Sequence, residues 1–206
     1  MTSDPSKHRR RSIRLQGYDY SWAGAYFVTV CAHDRACLFG DLVNGDMRLN
    51  DAGKIVWDEW LRTGDIRSNV ELDVFVVMPN HFHAIVCLSN EPRRGDRPVA
   101  PTIRDMVAPT MAGPTGPTPG SIGAIMAGFK SITTKRINEM RNTPGAPVWQ
   151  RNYYEHIIRD GESLNKIREY IVNNPMQWAF DRENLNIVRV RAGLKPARTK
   201  DEPWRT

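Results

Sequence analysis

LDVFVVMPNHFHAIVCL, residues 72–88, holds two β-branched and aromatic runs parted by Pro79-Asn80. Runs of that composition favour strands, and a Pro-Asn pair between them favours a tight turn. The stretch therefore predicts two strands, "LDVFVVM" and "HFHAIVCL". Side chains alternate along a strand, so His81 and His83 share one face while Phe82 points from the other. If Phe82 enters a helix-covered core, both imidazoles stand on the opposite face. Two imidazoles so placed can chelate one divalent ion, and equally can be a satisfied or exposed pair. The spacing leaves both readings open.

The flanking segments supply the rest of the sheet. "AYFVTVCA" (25–32) is a further strand, and Asn44-Gly45 marks a small hairpin in "LFGDLVNGDMRLN". "NDAGKIVWDEWLRTG" (50–64) spaces Ile55, Val56, Trp60 and Leu61 as a helix does, and Gly64 predicts its end. "SIGAIMAGFKSITTKRINEMRN" sets Ile122, Ile125, Met126, Phe129, Ile132 and Ile137 on one helical face and Lys130, Lys135 and Arg136 on another. "VWQRNYYEHIIRD" predicts a strand, and "ESLNKIREYIVNN" a helix from Glu162 to a break at Pro175. Without the hairpin the order is βαββαβ plus one helix. That order predicts an α+β fold of the ferredoxin-like split βαβ kind, an antiparallel sheet with helices on one face and an added C-terminal helix bearing Tyr170.

The 206 residues suffice for one core. We expect a basic arm over 1–18, one domain over 19–180 and a basic tail over 181–206. The arm carries Lys7, Arg9, Arg10, Arg11 and Arg14; the tail carries Arg189, Arg191, Lys195, Arg198 and Lys200. Within the domain, 91–120 holds seven of the fourteen prolines and predicts an inserted loop. A net charge of +6 favours a polyanionic partner without naming it. Three cysteines in no paired motif, a hydrophilic N-terminus and no apolar run of spanning length predict an intracellular protein off the membrane.

A second cluster lies downstream. Leu164, Ile167 and Ile171 form the buried stripe of the last helix, with Tyr170 at its border. One turn on, Asn174 would share the tyrosine's face, although its place before Pro175 weakens that geometry. Tyr170 and Asn174 can equally be a helix-edge aromatic and a helix-end polar residue. Glu155 and His156 fit an exposed, alternating strand.

Four segments in order, "MPNHFHAIV", "IGAIMAGFKSITTKRIN", "VWQRNYYEHIIRD" and "YIVNNPMQW", closely resemble the REP-associated tyrosine transposases, of the HUH single-tyrosine (insertion-sequence-200-like) class. The resemblance covers roughly residues 13–180. It implies a metal-dependent endonuclease and strand transferase acting on single-stranded or hairpin DNA in the bacterial cytoplasm, at the nucleoid when bound. It implies His81 and His83 as ligands of Mg²⁺ or Mn²⁺, Tyr170 as the nucleophile and Asn174 as the third ligand. Phe82 keeps the hydrophobic residue between the histidines. Glu155 and His156 are then candidates for orienting the metal site. Arg9, Arg10, Arg11, Arg14, Lys130, Lys135, Arg136, Tyr153 and Tyr154 are candidates for DNA contact, with Trp149 either stacking on a base or filling the core. A homodimer is compatible. Two rivals stand beside this: a non-catalytic nucleic-acid-binding module, and a hairpin-processing nuclease that no longer transposes. Against the first, the chain lacks the Lys/Arg–Gly–aromatic–Gly/Ala–Phe–Val run of RNA-recognition domains.

Overall fold

The computed structural model describes residues 15, 17–90, 116–181, 183 and 184. The arm with Arg9, Arg10, Arg11 and Arg14, most of the 91–120 insertion and the basic residues of the tail lie outside the described residues. In chain order the elements are β1 (Gly24–Cys31), β2 (Gly40–Val43), β3 (Asp46–Leu49), α1 (Asp51–Asp65), β4 (Val70–Val77), β5 (His81–Leu88), α2 (Ile122–Arg141), β6 (Tyr154–Ile158) and α3 (Gly161–Gln177). Single 3-10 turns occupy His33–Arg35 and Trp178–Phe180.

Pro79-Asn80 does join β4 to β5, and the Met78 amide closes the turn on the His81 carbonyl at 2.8 Å. The main sheet runs β4-β5-β1-β6 with every neighbour antiparallel. This is the split βαβ order, since each helical connection skips one strand to reach its partner. The small hairpin β2–β3 turns through Asn44 (φ 56°) and Gly45 (φ 87°), the two positive values a primed two-residue turn requires.

Helices α1 and α2 cover one face of the sheet. There Phe82 packs edge-on against Trp60 with centroids 4.9 Å apart, and Phe129 lies 5.3 Å from Phe82. Full burial of each such ring is worth about 1.5–3 kcal/mol, which makes this face the main source of stability. Helix α3 lies on the other face, over a smaller seam of Phe27, Ile85, Ile158, Ile167 and Ile171. So the sheet is covered from both sides, two helices on one and the Tyr170 helix on the other.

Three boundaries differ from expectation. Gly64 does not stop α1, which runs on to Asp65; a Cβ at Gly64 would sit 2.9 Å from Leu72 Cγ, so this glycine lets helix and strand approach. The segment around Trp149 is not strand apart from one bridge to Ala32. Trp149 instead gives its indole N–H to Thr133 Oγ1 (2.8 Å), and Lys130 Nζ donates to the carbonyls of Gln150 and Arg151 at 2.6 and 2.9 Å. Pro175 lies inside α3 and does not break it. A proline forgoes one hydrogen bond, here to the Ile171 carbonyl, and the helix is over two residues later. Among the described residues no helix is long and apolar enough to cross a membrane.

Candidate metal and nucleophile site

Strand alternation places His81 and His83 side by side, their ring centroids 4.5 Å apart. Both are buried, at 0% and 2% exposure, under the C-terminal half of α3 and the turn after it. Each is held by its Nδ1. Asn80 Nδ2 donates to the main-chain carbonyls of Arg35 (3.1 Å) and Glu183 (2.7 Å), which fixes the amide and turns its Oδ1 toward His81 Nδ1 at 2.9 Å. The oxygen there accepts, so His81 carries its proton on Nδ1 and presents a bare Nε2. His83 Nδ1 meets Thr29 Oγ1 at 2.8 Å, from the neighbouring position on β1.

Helix α3 begins on an Asp160 cap, whose carboxylate accepts the Ser163 amide at 2.7 Å. That hydrogen bond, with the one from the Ser163 hydroxyl, holds the Asp160 carboxyl below the usual range. Ile167 and Ile171 bury the helix against the sheet and leave Tyr170 half-buried at the edge of the seam. Its Oη reaches His83 Nε2 at 3.3 Å, and its ring stands edge-on to Phe27 at 6.2 Å. Because α3 continues through Pro175, Asn174 does lie one helical turn beyond Tyr170, and it is buried.

A residue that sequence reasoning missed completes the cluster. Asp181 follows the 3-10 turn, and its Oδ2 lies 3.8 Å from His81 Nε2 and accepts from Asn174 Nδ2 at 3.0 Å. His81, His83 and Asp181 each offer one ligand atom, all within 4.8 Å of one another. Two buried acceptors here, His81 Nε2 and Asn174 Oδ1, find no hydrogen-bond partner among the described residues. Burial drives the His81 pKa below 6.5, against the upward pull of Asp181, Glu183 and Asn174. A neutral imidazole nitrogen facing a carboxylate oxygen is two lone pairs opposed, an arrangement a cation relieves. The donor set fits a divalent metal ion.

Glu183 ties the segment after α3 down. Its carboxylate takes Arg35 Nε at 2.9 Å and Cys31 Sγ at 3.4 Å, and both Asp181 and Glu183 are nearly inaccessible. The segment read as the start of a basic tail thus enters the site with two acids.

The remaining candidates are dispersed. Tyr154 pairs with Thr29 and shares the histidine face; Glu155 pairs with Val28 and faces the main core, away from the histidines. His156 shares the site's face opposite Phe27, and burial with the nearby Arg159 lowers its pKa. Tyr153 packs with the main core. Arg136 is committed to the buried Glu59 (2.5 Å), and Lys130 to the two carbonyls above; Lys135 is exposed, 3.9 Å from Glu139. A cleft of about 460 Å³ between α2 and residues 147–153 is lined by Lys130, Trp149, Arg151 and Tyr153 among others.

Comparison with known proteins adds two findings. A solved REP-associated tyrosine transposase bound to a REP hairpin superposes with a TM-score of 0.52 at 19% identity, covering 89% of each chain. It shares the α+β fold. An uncharacterised protein of Haemophilus influenzae (strain ATCC 51907 / DSM 11121 / KW20 / Rd) is 41% identical over 174 residues, 84% of this chain and 92% of that one. No family model matches the chain. The chain belongs to one protein family with the Haemophilus influenzae protein, on the fold of a REP-associated tyrosine transposase.

Proposed function

We propose that the protein is a metal-dependent single-strand DNA endonuclease and strand transferase, a transposase of the HUH single-tyrosine class, acting at DNA hairpins in the cytoplasm. The observation that carries this reading is Tyr170 Oη at 3.3 Å from His83 Nε2, at the mouth of the His81–His83–Asp181 group. A REP hairpin is the bound DNA in the transposase of the same fold, and a hairpin is the substrate we assign to this chain.

His81, His83 and Asp181 would hold Mg²⁺ or Mn²⁺, with Asn174 orienting Asp181 through its amide. When bound there, such an ion would supply Lewis-acid polarisation of a scissile phosphate and neutralise charge that develops on it. The chain's own residues do the rest. A phenol ordinarily ionises near pH 10, so Tyr170 needs a partner to lose its proton at neutral pH. The Oη–P bond forms as the P–O3′ bond breaks, and the phenolic proton is balanced by the one the 3′-hydroxyl gains. The 5′-phosphotyrosine keeps the diester, so a 3′-hydroxyl can rejoin it without a nucleotide triphosphate. Asn80 holds the His81 imidazole in the tautomer that leaves Nε2 toward the site, and Thr29 orients the His83 ring through its Nδ1.

The test is direct. Wild-type protein, Mn²⁺ and a single-stranded REP-type hairpin with a 5′ flank should give a covalent protein–DNA band on a denaturing gel, lost in Tyr170→Phe. Cleavage without any adduct would make the reaction hydrolytic. Binding without cleavage across several metals and hairpins would leave a binding module.

A further inference from the structure

Helix α3 rests on the sheet through a narrow apolar seam, and apolar contact is non-directional. It sets how deep the helix lies but leaves its position along and about its own axis weakly specified. Apart from the contact of Tyr170 with His83, a charged pair gives this interface direction. Arg168, two residues before Tyr170, forks onto Asp73 of β4: Nε stands 3.2 and 3.0 Å from the two carboxylate oxygens, and Nη2 stands 2.6 Å from Oδ2.

The strand is irregular where it meets this fork. The β4–β5 register shifts between Leu72 and Phe75. Leu72 and Phe75 pack with the main core, while Val74 packs with the α3 seam and Asp73 points to Arg168. Two consecutive side chains, Asp73 and Val74, therefore face α3, which a regular strand cannot do. An extra residue in a strand re-aims a side chain in this manner. The Asp73 carboxylate is locked further, accepting the Val74 amide at 2.7 Å, and Arg168 Nη1 reaches Asn165 Oδ1 at 3.2 Å. Asp73 is 17% exposed, so the pair is shielded at its acidic end.

We infer that Asp73 and Arg168 are a positioning pair that fixes the axial and rotational setting of α3, and so holds the Tyr170 hydroxyl against His83. The inference rests on Tyr170 being the nucleophile. A helix rises 1.5 Å per residue, so Arg168 lies about 3 Å along the axis from Tyr170. Slippage of the helix at one is slippage at the other. The guanidinium engages both carboxylate oxygens through two of its nitrogens, so charge alone does not replace it: Arg168→Lys keeps the cation and loses the fork.

The experiment uses full-length protein, Mn²⁺ and the 5′-flanked REP-type hairpin, with Asp73→Asn, Arg168→Lys and the exchange Asp73→Arg/Arg168→Asp. Single-turnover adduct formation at saturating DNA should fall about 10- to 100-fold in each single variant, as expected for a misplaced reacting group. Half-saturating DNA should stay within about twofold, and the exchanged pair should recover at least about tenfold over the singles; a general loss of folding would move all three together. In the absence of DNA, hydrogen exchange of α3 amides should quicken in the single variants while β1 and β5 amides do not change. Adduct rates within twofold of wild type, or an exchanged pair no better than the singles, overturn the inference. Should the wild type form no adduct, the reading of Tyr170 falls instead. The exchange measurement then decides the pair alone, and unaltered α3 exchange overturns it.

Discussion

Tyr170 Oη and His83 Nε2 meet at 3.3 Å across α3 and β5, although 87 positions separate them in the chain. A nucleophilic phenol and a helix-edge aromatic predict different outcomes for one substitution. Tyr170→Phe keeps the ring against Phe27 and removes the hydrogen bond to His83, a net cost to stability of about 1 kcal/mol. We expect unfolding midpoints close to wild type, hairpin binding within about twofold, and adduct formation below detection. A variant that still forms the adduct would move the nucleophile to another residue, with Tyr154 on the same face first in line.

The Asp181–Asn174 contact makes a separate prediction about metal. Asp181 offers a charged oxygen beside His81, and Asn174 donates to that same oxygen. In Asp181→Asn the apparent Mn²⁺ affinity should fall by at least about 100-fold, whereas Asn174→Ala, which releases an orienting partner, should lose about 10- to 100-fold. Titration calorimetry on the DNA-free protein reads both. If Asn174→Ala abolishes binding while Asp181→Asn leaves it intact, the third ligand is the amide and not the carboxylate.

The strand pair and its histidines were legible because their determinants are local. Pro79-Asn80 and a period of two decide that His81 and His83 share a face, whatever the rest of the chain does. The place of Tyr170 at the border of the buried stripe follows by the same reasoning from the helical period, whereas Asn174, just before Pro175, was only weakly placed by it. Asp181 was not legible, since it lies past a helix end, where no period applies and tertiary packing alone brings it to His81. Its acidic type so soon after "YIVNNP" was the available signal, outweighed by the run of basic residues from Arg189 to Lys200. Asp73 and Arg168 were hidden for a related reason: alternation counted along β4 cannot show an inserted residue. Lys130 and Arg136 looked free on a helical wheel, but their partners, the Gln150 and Arg151 carbonyls and Glu59, are distant in sequence.

Gly53 offers a test of packing in which the helical rule reverses. Replacing an interior helical glycine with alanine ordinarily gains about 1 kcal/mol. Here a Cβ would stand 2.1 Å from the Phe39 carbonyl oxygen, a backbone atom that cannot rotate away. Gly53→Ala should therefore destabilise, by about 1–3 kcal/mol in urea unfolding, as overpacking does. A gain in stability would show that α1 can lift from the segment before β2 at little cost.

His156 predicts how stability responds to acid. Its imidazole is half-buried opposite Phe27, and burial, then the charge of Arg159, lowers its pKa below 6.5. Below pH 6.5 the unfolded chain takes up this proton more readily than the folded protein, so unfolding gains relative to folding as the pH drops. The contribution is in place above about pH 6.5 and is lost as the pH falls through the depressed folded value. Urea unfolding in a chelator, at about pH 7.5 and about pH 5, should show wild-type stability falling with acid, and falling less in His156→Gln, which cannot titrate. The chelator keeps metal binding at His81 and His83 out of the comparison. Equal losses in the two proteins would mean that the folded state protonates His156 as readily as the unfolded one, through a strand edge that opens before the sheet does.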